Sequence, residues 1–463
     1  MDNENRIESD SVGTLEVKKD AYYGVQTLRA KNNFNITGNL LNEKFIKNLA
    51  KLKKASAIQN NKVGELTDSI AKAIIEACDE IIKGKLHNEF IVDSIQGGAG
   101  TSMNMNANEV ICNRAIEILK GEKGDYTICH PNDHVNKAQS TNDVIPSAGK
   151  LTCIDLINEL LPTIKELINE LEKKGEEFYN VVKMGRTQLQ DAVPMRLGEE
   201  FYAYAQPLKR DIKRLEMVRE DLCCINMGAT AIGNSINATK DYVKGIANEV
   251  ANITGYPIKQ SENLFDGTSN LDTFLSLSST LKILATNLSK MANDLRLLSS
   301  GPKTGIGEIV LPAKQNGSSI MPGKINPVIP EVVSQVCFMV VGSDVTINMA
   351  VEAGQLELNA FEPVIFYRLF ESLQSLNNVI RTFIDNCIID LKANPERCEN
   401  LVNSSAGVAT ALCPYLGYKK SAEIAKESLK TGLTVKEIVK KYNLIESEKL
   451  DEILDIKEMT ELK

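Results

Sequence analysis

The chain has 463 residues, of which 43% are hydrophobic and 25% are charged, a composition that is ordinary for a globular protein and excludes a disordered one. This length is too great for one compact core, so two or three domains are expected. The formal net charge of −8 argues against a nucleic-acid-binding protein, which needs a basic surface to meet phosphates.

The first residues, MDNENRIESD, are polar and acidic and lack the apolar core of a signal peptide. The longest buried-looking run, residues 336–341, is too short to cross a bilayer. The ten cysteines include no CxxC pair, which predicts reduced core residues and neither a disulfide framework nor a zinc site. We therefore expect a cytoplasmic protein with no membrane partner.

Apolar residues that alternate at spacings of three and four predict long helices packed in a bundle. The first such segment covers residues 151–171 and contains Pro162 as a predicted kink. The second covers residues 197–222, and the third covers residues 274–298. Residues 332–351 are apolar nearly all round, which favours a helix surrounded by other helices over the alternative of a short buried strand.

Polar segments rich in Gly, Asn and Pro separate the helical patterns, and we expect them to be joints of the fold. They are residues 96–108, 130–142, 185–194 and 314–327. Period-two strands are scarce, so the predicted fold class is mainly α. The predicted domains are an N-terminal domain (1–142), a central helical-bundle domain (143–395) and a small C-terminal helical domain (396–463).

The motif GGAGTS, residues 97–102, is glycine-rich but is a weak nucleotide site. It lacks the lysine of a P-loop and follows no predicted strand. Its backbone N–H groups and the hydroxyls of Thr101 and Ser102 suit a carboxylate. Taken alone, the motif is explained as well by a plain turn.

Three further polar clusters each have a simpler structural explanation. His130 and His134 have a spacing that could hold a metal on a helix, but Pro131 lies between them and no third ligand is evident. Residues 139–143, QSTND, are typical of a helix N-cap. Their candidate side chains are Ser140, Thr141 and Asn142. Residues 185–194 add Thr187 and Gln188 between two helical patterns.

The stretch GSSIMPGKINP, residues 317–327, is harder to explain as a simple turn. Pro322 and Pro327 forbid a continuous helix, and two glycines allow movement. Between the prolines and glycines lie the hydroxyls of Ser318 and Ser319 and the cation of Lys324. No GxSxG elbow is present, so a reactive serine would need backbone N–H donors and a nearby ammonium.

This stretch resembles the signature of the fumarase/aspartase superfamily, in its GSSxMPxKxNP form. Five other segments agree in content and order along the chain. They are DAYYGVQTLRA (20–30), GGAGTSMNMNANE (97–109), HPNDHVNKAQSTND (130–143), GRTQLQDAVP (185–194) and NDLRLLSSGP (293–302). The resemblance implies three mostly helical domains, a central bundle of long helices, and a homotetramer whose active sites combine loops of three subunits.

The resemblance also implies a β-elimination on a succinate-type small molecule. Ser318 would remove the proton next to a carboxylate, which then carries the charge as an aci-carboxylate. The donors to that charge would be Thr101, Ser140, Thr141 and Ser319. Lys324 and Asn326 would bind the other carboxylate. Asn142, Thr187 and Gln188 would bind the leaving group.

One departure within the family bears on the leaving group. Fumarases and some of their ammonia-eliminating relatives have His where this chain has Gln188, paired with a glutamate that corresponds to Glu331. An amide cannot transfer a proton at neutral pH. This departure and Val328 and Pro330 favour reversible deamination of L-aspartate to fumarate and ammonia. Fumarate hydration is the alternative, and a non-catalytic structural member of the superfamily is a third hypothesis.

The resemblance implies no organic cofactor, and the residues themselves predict no metal ligands. Activation by a divalent cation such as Mg²⁺, which occurs in some relatives, is left open. An accessory dicarboxylate site near His130 is also left open.

Overall fold

The computed structural model describes residues 4–461, and helix dominates them. The α-helices are α1 (Val25–Asn33), α2 (Glu43–Lys62), α3 (Asp68–Ile82), α4 (Thr101–Ile118), α5 (Thr141–Glu177), α6 (Leu197–Leu222), α7 (Lys240–Thr254), α8 (Leu264–Ser269), α9 (Asp272–Leu298), α10 (Val328–Glu352), α11 (Glu362–Phe383), α12 (Pro395–Ser404), α13 (Cys413–Thr431), α14 (Val435–Lys441) and α15 (Ser447–Ile453). The predicted mainly α fold class is confirmed.

The strands are short and pair two by two. The antiparallel pairs are β1 (Asn5–Ser9) with β2 (Thr14–Lys18), β3 (Val182–Thr187) with β4 (Gln190–Arg196), and β7 (Ile309–Val310) with β8 (Lys392–Ala393); β5 (Cys224–Ile225) and β6 (Lys259–Gln260) are parallel.

The segments with alternating apolar spacing all lie in long helices, as predicted. The bounds of α6 are the predicted ones, and α5 and α9 each contain their predicted segment. Along α9 the repeating residues Leu277, Leu284 and Leu288 are fully buried, because spacings of three and four keep them on one face of the helix. α5 continues as helix through Pro162.

α10 is a helix of 25 residues, so the alternative of a short strand is wrong. Its apolar surface is only partly covered within the chain, because Phe338, Met339, Val345 and Met349 are 63%, 51%, 59% and 65% exposed. By length and composition α10 could cross a membrane, the one such helix found in residues 4–461, although core helices of soluble proteins meet the same criteria.

One predicted joint, residues 96–108, is mostly helix. α4 begins at Thr101, and the asparagines Asn104, Asn106 and Asn108 on it are buried. A helix that buries polar residues lacks the apolar stripe on which the sequence prediction depended. Residues 130–142 contain a short π-helical turn and the start of α5, whereas residues 314–327 are non-helical as predicted.

The chain divides into two compact units. Unit 1 comprises the chain up to Leu161, Lys213–Ile283 and Met339–Ser375. Unit 2 comprises Pro162–Ile212, Leu284–Phe338 and the chain from Leu376 onward. The three-domain division stays a prediction. All ten cysteines are free, and eight of them are buried.

In unit 1, a group of aromatic rings packs three helices together. Phe366 of α11 lies 5.8 Å from Phe45 of α2 and 5.1 Å from Phe274 of α9, between ring centroids. Gly149 of α5 is close to the same ring, since a Cβ at that position would lie 2.4 Å from it. This packing supports the first turns of α5, where candidate site residues lie.

In unit 2, the C-terminal helices share a core with the first strand of the β3–β4 hairpin. Val182 and Met184 of β3 are buried with Val402, Leu412 and Ile438. The tail is therefore helical as predicted, but its core includes two residues from far earlier in the chain.

A pair of glycines allows α5 and α6 to approach closely in unit 2. A Cβ at Gly198 would lie 2.2 Å from the carbonyl oxygen of Gly175 and 2.8 Å from Tyr179 Cα. Both obstacles are backbone atoms, so no side-chain rotation can relieve the clash.

We therefore predict that Gly198→Ala lowers the free energy of unfolding by about 1–3 kcal/mol or more, the cost of overpacking. Thermal unfolding should show a lower midpoint. Ala203→Ser, at an exposed position of the same helix, is the control and should melt like the wild type. An unchanged midpoint for Gly198→Ala would show that the helices can separate at no cost.

Candidate active site

The loop before α4 is held in an unusual backbone conformation. Gly98, Ala99 and Gly100 have φ angles of 92°, 54° and 82°, in the left-handed region that disfavours a residue with a side chain such as Ala99. A Cβ at Gly100 would lie 2.8 Å from Ile145 Cγ2 of α5. The loop therefore places Thr101 at the N-terminus of α4, close to the first turns of α5.

The start of α5 is capped as the QSTND pattern indicates. Ser140 Oγ accepts the Asn142 N–H at 3.2 Å, and Asp143 Oδ1 accepts the Ser140 N–H at 3.0 Å. Asp143 Oδ2 also accepts the N–H groups of Gly228 and Thr230, at 3.2 Å and 3.0 Å. The N-cap explanation is thus confirmed, and it presents Ser140 and Asn142 at the positive end of a helix dipole.

Two buried charged residues lie at this cap, Asp143 of the QSTND motif and Lys53 of α2, and Lys53 was missed from the sequence. Burial raises the pKa of Asp143 to about 7, although the backbone N–H groups that donate to it act to lower this pKa. Burial lowers the pKa of Lys53 to about 7, although the negative charge of Asp143 acts to raise it. Lys53 Nζ donates to Asn136 Oδ1 at 2.8 Å and to Gln139 Oε1 at 3.0 Å. The signal was a lysine on the otherwise buried face of α2.

The side-chain amide of Asn142 is oriented by a backbone carbonyl. Asn142 Nδ2 donates to the Ala231 carbonyl at 2.7 Å, and the backbone carbonyl of Asn142 accepts from Asn226 Nδ2 at 3.0 Å. With the nitrogen turned toward a carbonyl, Asn142 Oδ1 is the end of the amide that can accept a hydrogen bond from a ligand.

Thr187 and Gln188 lie at the tip of the β3–β4 hairpin, which connects α5 to α6, so the predicted joint between two helices is confirmed and takes the form of a hairpin. Thr187 pairs with Gln190, which leaves Gln188 and Leu189 as a two-residue turn. Their φ angles, 54° and 63°, are those of a turn that usually contains Asn-Gly. The tip is exposed, and its strained backbone holds the Gln188 side chain at the apex.

The base of this hairpin is fixed by a buried ion network. Glu308, which is fully buried, lies 2.9 Å from Arg186 and 3.0 Å from Lys183, measured between nitrogen and oxygen. Lys183 also pairs with Glu200 at 2.9 Å. None of these four side chains was a predicted site residue, because isolated charged residues in a sequence are usually solvated.

The loop of residues 314–327 closes on itself around Ser318. Gly317 N–H donates to the Lys324 carbonyl at 2.8 Å, and Asn326 Nδ2 donates to the Gly317 carbonyl at 2.7 Å. Ser318 Oγ accepts two backbone N–H groups, from Ile320 at 3.2 Å and Met321 at 2.9 Å. A Cβ at Gly317 would lie 2.5 Å from the Lys324 carbonyl oxygen, so this position must be glycine.

The predicted site residues thus form three groups. The first group lies in unit 1, at the starts of α4 and α5, and comprises Thr101, Ser140, Thr141 and Asn142. The second group lies on the hairpin tip in unit 2 and comprises Thr187 and Gln188. The third group lies in the loop of residues 314–327, also in unit 2, and comprises Ser318, Ser319, Lys324 and Asn326. Within residues 4–461, no hydrogen bond or ion pair joins the hairpin tip to the loop. The side chain of Lys324 is exposed.

The two histidines of HPNDH serve the local backbone. His130 Nδ1 accepts the N–H groups of Asn132 and Asp133, and His134 Nδ1 accepts the His130 N–H at 2.8 Å. Across the described part of the chain, no group of three or more His, Cys, Asp or Glu side chains is arranged to hold a metal ion.

The fold consists of long helices, and the candidate residues are a serine and a lysine on a glycine–proline loop and hydroxyls at helix N-termini. Residues 13–342 match the lyase family, and residues 408–461 match the C-terminal family described for fumarase C. The chain belongs to this lyase family, within the fumarase/aspartase superfamily that its motifs predicted.

Relatives resemble the chain over nearly its whole length. An aspartate ammonia-lyase from a Bacillus species is 50% identical over 460 residues, which cover 99% of this chain and 98% of the relative. The crystal structure of a fumarate lyase:delta crystallin from Brucella melitensis bound to cobalt is 47% identical, with a TM-score of 0.96, and covers 99% of this chain and 100% of its own. A class II fumarase from Schistosoma mansoni is 36% identical, with a TM-score of 0.95, over 98% of this chain and 99% of its own.

We predict that Glu308→Gln both destabilises the protein and slows its reaction. The amide offers one acceptor oxygen to two cations, the buried Lys183 and the partly buried Arg186, and breaking a buried ion pair costs about 3–5 kcal/mol. The rate should fall because Thr187 and Gln188 lose the fixed base of their hairpin. Thermal unfolding and steady-state kinetics measure the two effects.

Lys173→Gln is the matched control, since Lys173 pairs with Glu170 at the surface of α5. An exposed pair of this kind contributes about 0–1 kcal/mol, so the control should melt and react like the wild type. Equal melting of both variants would refute the structural role of Glu308.

Proposed function

We propose that the chain catalyses reversible elimination of ammonia from L-aspartate to give fumarate, the reaction of an aspartate ammonia-lyase. The observation that carries this proposal is the geometry of Ser318. Its Oγ accepts two backbone N–H groups within its own loop, and hydrogen bonds to an oxygen stabilise its anionic form. A serine held in this way can act as a base without a histidine.

The elimination proceeds in two steps. Ser318 takes a proton from the carbon next to the distal carboxylate, and the electron pair spreads into that carboxylate as an aci-carboxylate. The electron pair then forms the C=C bond of fumarate while the C–N bond breaks and ammonia leaves. The intermediate carries an additional negative charge, so fixed donors aimed at its oxygens lower the barrier most.

We assign the remaining predicted residues to the parts of this substrate. Thr101, Ser140, Thr141 and Ser319 would donate to the aci-carboxylate, and the helix N-termini at α4 and α5 favour negative charge there. Lys324 and Asn326 would bind the other carboxylate. In this assignment Asn326 has a second role, because its Nδ2 already ties the loop at Gly317.

The amino group of the substrate would be bound by acceptors. Asn142 presents Oδ1 because its nitrogen faces the Ala231 carbonyl, and Thr187 and Gln188 offer a hydroxyl and an amide oxygen. An ammonium group leaves as ammonia without a proton from the enzyme. Hydroxide needs an acid, which neither an amide nor a threonine provides at neutral pH.

Similarity to relatives supports the same choice. The aspartate ammonia-lyase of a Bacillus species is 50% identical to this chain, whereas the class II fumarase is 36% identical. Fumarate hydration is the second candidate, because that fumarase shares the fold at a TM-score of 0.95. We propose that the reaction needs no organic cofactor. Free cysteines and a net charge of −8 support a cytoplasmic enzyme without a nucleic-acid partner.

An ultraviolet assay of fumarate tests the substrate. We predict that the purified protein consumes fumarate only when ammonium is present, that the product is L-aspartate, and that L-aspartate alone yields fumarate. Consumption of fumarate without ammonium, with malate as the product, would establish a hydratase instead.

Ser318→Ala is the control for this assay, because it removes the base and leaves the loop contacts of Gly317, Lys324 and Asn326 in place. Loss of a general base lowers turnover by about 10²–10⁴-fold or more. Wild-type turnover by this variant would mean that another residue removes the proton.

We also propose that the protein is a homotetramer and that each active site takes its three groups of residues from different subunits. The support is α10, whose exposed apolar residues Phe338, Met339, Val345 and Met349 form a patch typical of a buried interface. The partner that fits best is another copy of the same apolar helix.

Light scattering should give about four times the chain mass of 51.0 kDa. Val345→Asp places a charge in the α10 patch, so we predict smaller species and a matching loss of activity. Leu429→Glu, at an exposed position of α13, is the control and should stay tetrameric and active. A fully active monomer would refute both the assembly and the shared site.

A further inference from the structure

In unit 1, a series of hydrogen bonds joins a buried lysine to the hydroxyl of Thr141. Lys53 Nζ of α2 donates to Asn136 Oδ1 at 2.8 Å, and Asn104 Nδ2 of α4 donates to the same oxygen at 3.2 Å. Asn104 Nδ2 also lies 3.2 Å from Thr141 Oγ1. Lys53 is fully buried and Asn104 is 2% exposed, so both polar groups are directed inward.

The direction of these hydrogen bonds is fixed by the backbone. Asn136 Nδ2 donates to the Gln139 carbonyl at 3.2 Å, and Gln139 Nε2 donates to the Val135 carbonyl at 3.0 Å. A carbonyl can only accept, so both amides turn their nitrogens toward the backbone and their oxygens toward Lys53. Lys53 donates to these oxygens whether its amine is protonated or neutral.

The same reasoning fixes the amide of Asn104. Asn136 Oδ1 can only accept, so Asn104 must present its nitrogen; the opposite rotamer would set two oxygens against each other. The nitrogen that meets Asn136 also meets Thr141 Oγ1. The Thr141 oxygen is therefore an acceptor in this contact, and its one hydrogen must point away from Asn104.

We propose that Asn104 is a positioning residue for the elimination, which orients the Thr141 hydroxyl so that its hydrogen is free to bond to the substrate carboxylate. This inference rests on the proposed function, in which Thr141 is a donor to the aci-carboxylate. Asn104 itself does not touch the substrate; it acts through Thr141, and Asn136 and Lys53 fix the orientation of its amide.

A double-mutant cycle on deamination of L-aspartate tests the proposal. Asn104→Leu removes the donor at nearly constant volume, and Thr141→Val removes the hydroxyl. Thr141→Val should lower kcat by roughly 10²-fold, as loss of an oxyanion donor does, and Asn104→Leu by about tenfold. In the double variant, kcat should stay within about twofold of Thr141→Val alone, because the two residues act as a unit.

Asn108→Leu is the matched control. Asn108 lies one turn further along α4, is buried, and donates to Asn136 Oδ1 at the same 3.2 Å, but no hydrogen bond joins it to Thr141 among the described residues. Asn108→Leu should change kcat by less than about threefold, both in the wild-type protein and in the Thr141→Val variant. Thermal unfolding is followed for every variant. If Asn104→Leu does not fold, Asn104→Ala, which introduces a smaller side chain, replaces it in the cycle.

A structural role for Asn104 predicts different results. Asn104→Leu would then lower kcat by the same factor with and without the Thr141 hydroxyl, or Asn108→Leu would match it, and either result overturns the proposal. Failure of the proposed function is seen separately, in a wild-type protein that hydrates fumarate and leaves aspartate unchanged. The same cycle on that hydration reaction then decides the role of Asn104.

Discussion

The geometry at the start of α5 depends on one buried carboxylate. Asp143 accepts an N–H group from Ser140 in its own helix turn and two more from Gly228 and Thr230 of a distant segment. A charge removed from water needs such donors, and the carboxylate holds the cap and that segment in one arrangement. The same segment continues to Ala231, whose carbonyl orients Asn142. The carboxylate of Asp143 therefore determines the cap of α5, the position of residues 228–231 and, through Ala231, the orientation of the Asn142 amide.

The long helices could be predicted from the sequence, because α6 and α9 bury a continuous apolar face that repeats over several turns. The same rule failed at α4, where the buried face carries Asn104 and Asn108 and has no apolar stripe to detect. The β3–β4 hairpin was predicted only as a joint between helices, because its strands are short and its turn lacks glycine and asparagine. In both places tertiary contacts, which a local pattern does not contain, decide the structure.

The candidate site shows a similar division. Ser318, Lys324 and the hydroxyls were identified from motifs, since those residues are consecutive or nearly so in the sequence. The side chains that support them come from far away: Lys53 lies beneath the α5 cap, and Glu308 anchors the hairpin. A single lysine or glutamate in a helical or loop pattern is normally solvated. Only the fold shows that these two are buried and paired.

The character of the three groups narrows the chemistry. In the proposed site these side chains are hydroxyls, amides and one lysine, and the imidazoles of His130 and His134 are engaged with backbone N–H groups. A site of this kind can stabilise a developing carboxylate charge and can generate one base through backbone donors to Ser318. It offers no acid for a leaving group. The substrate that suits it must carry the proton on its own leaving group, as an ammonium does and a hydroxyl does not.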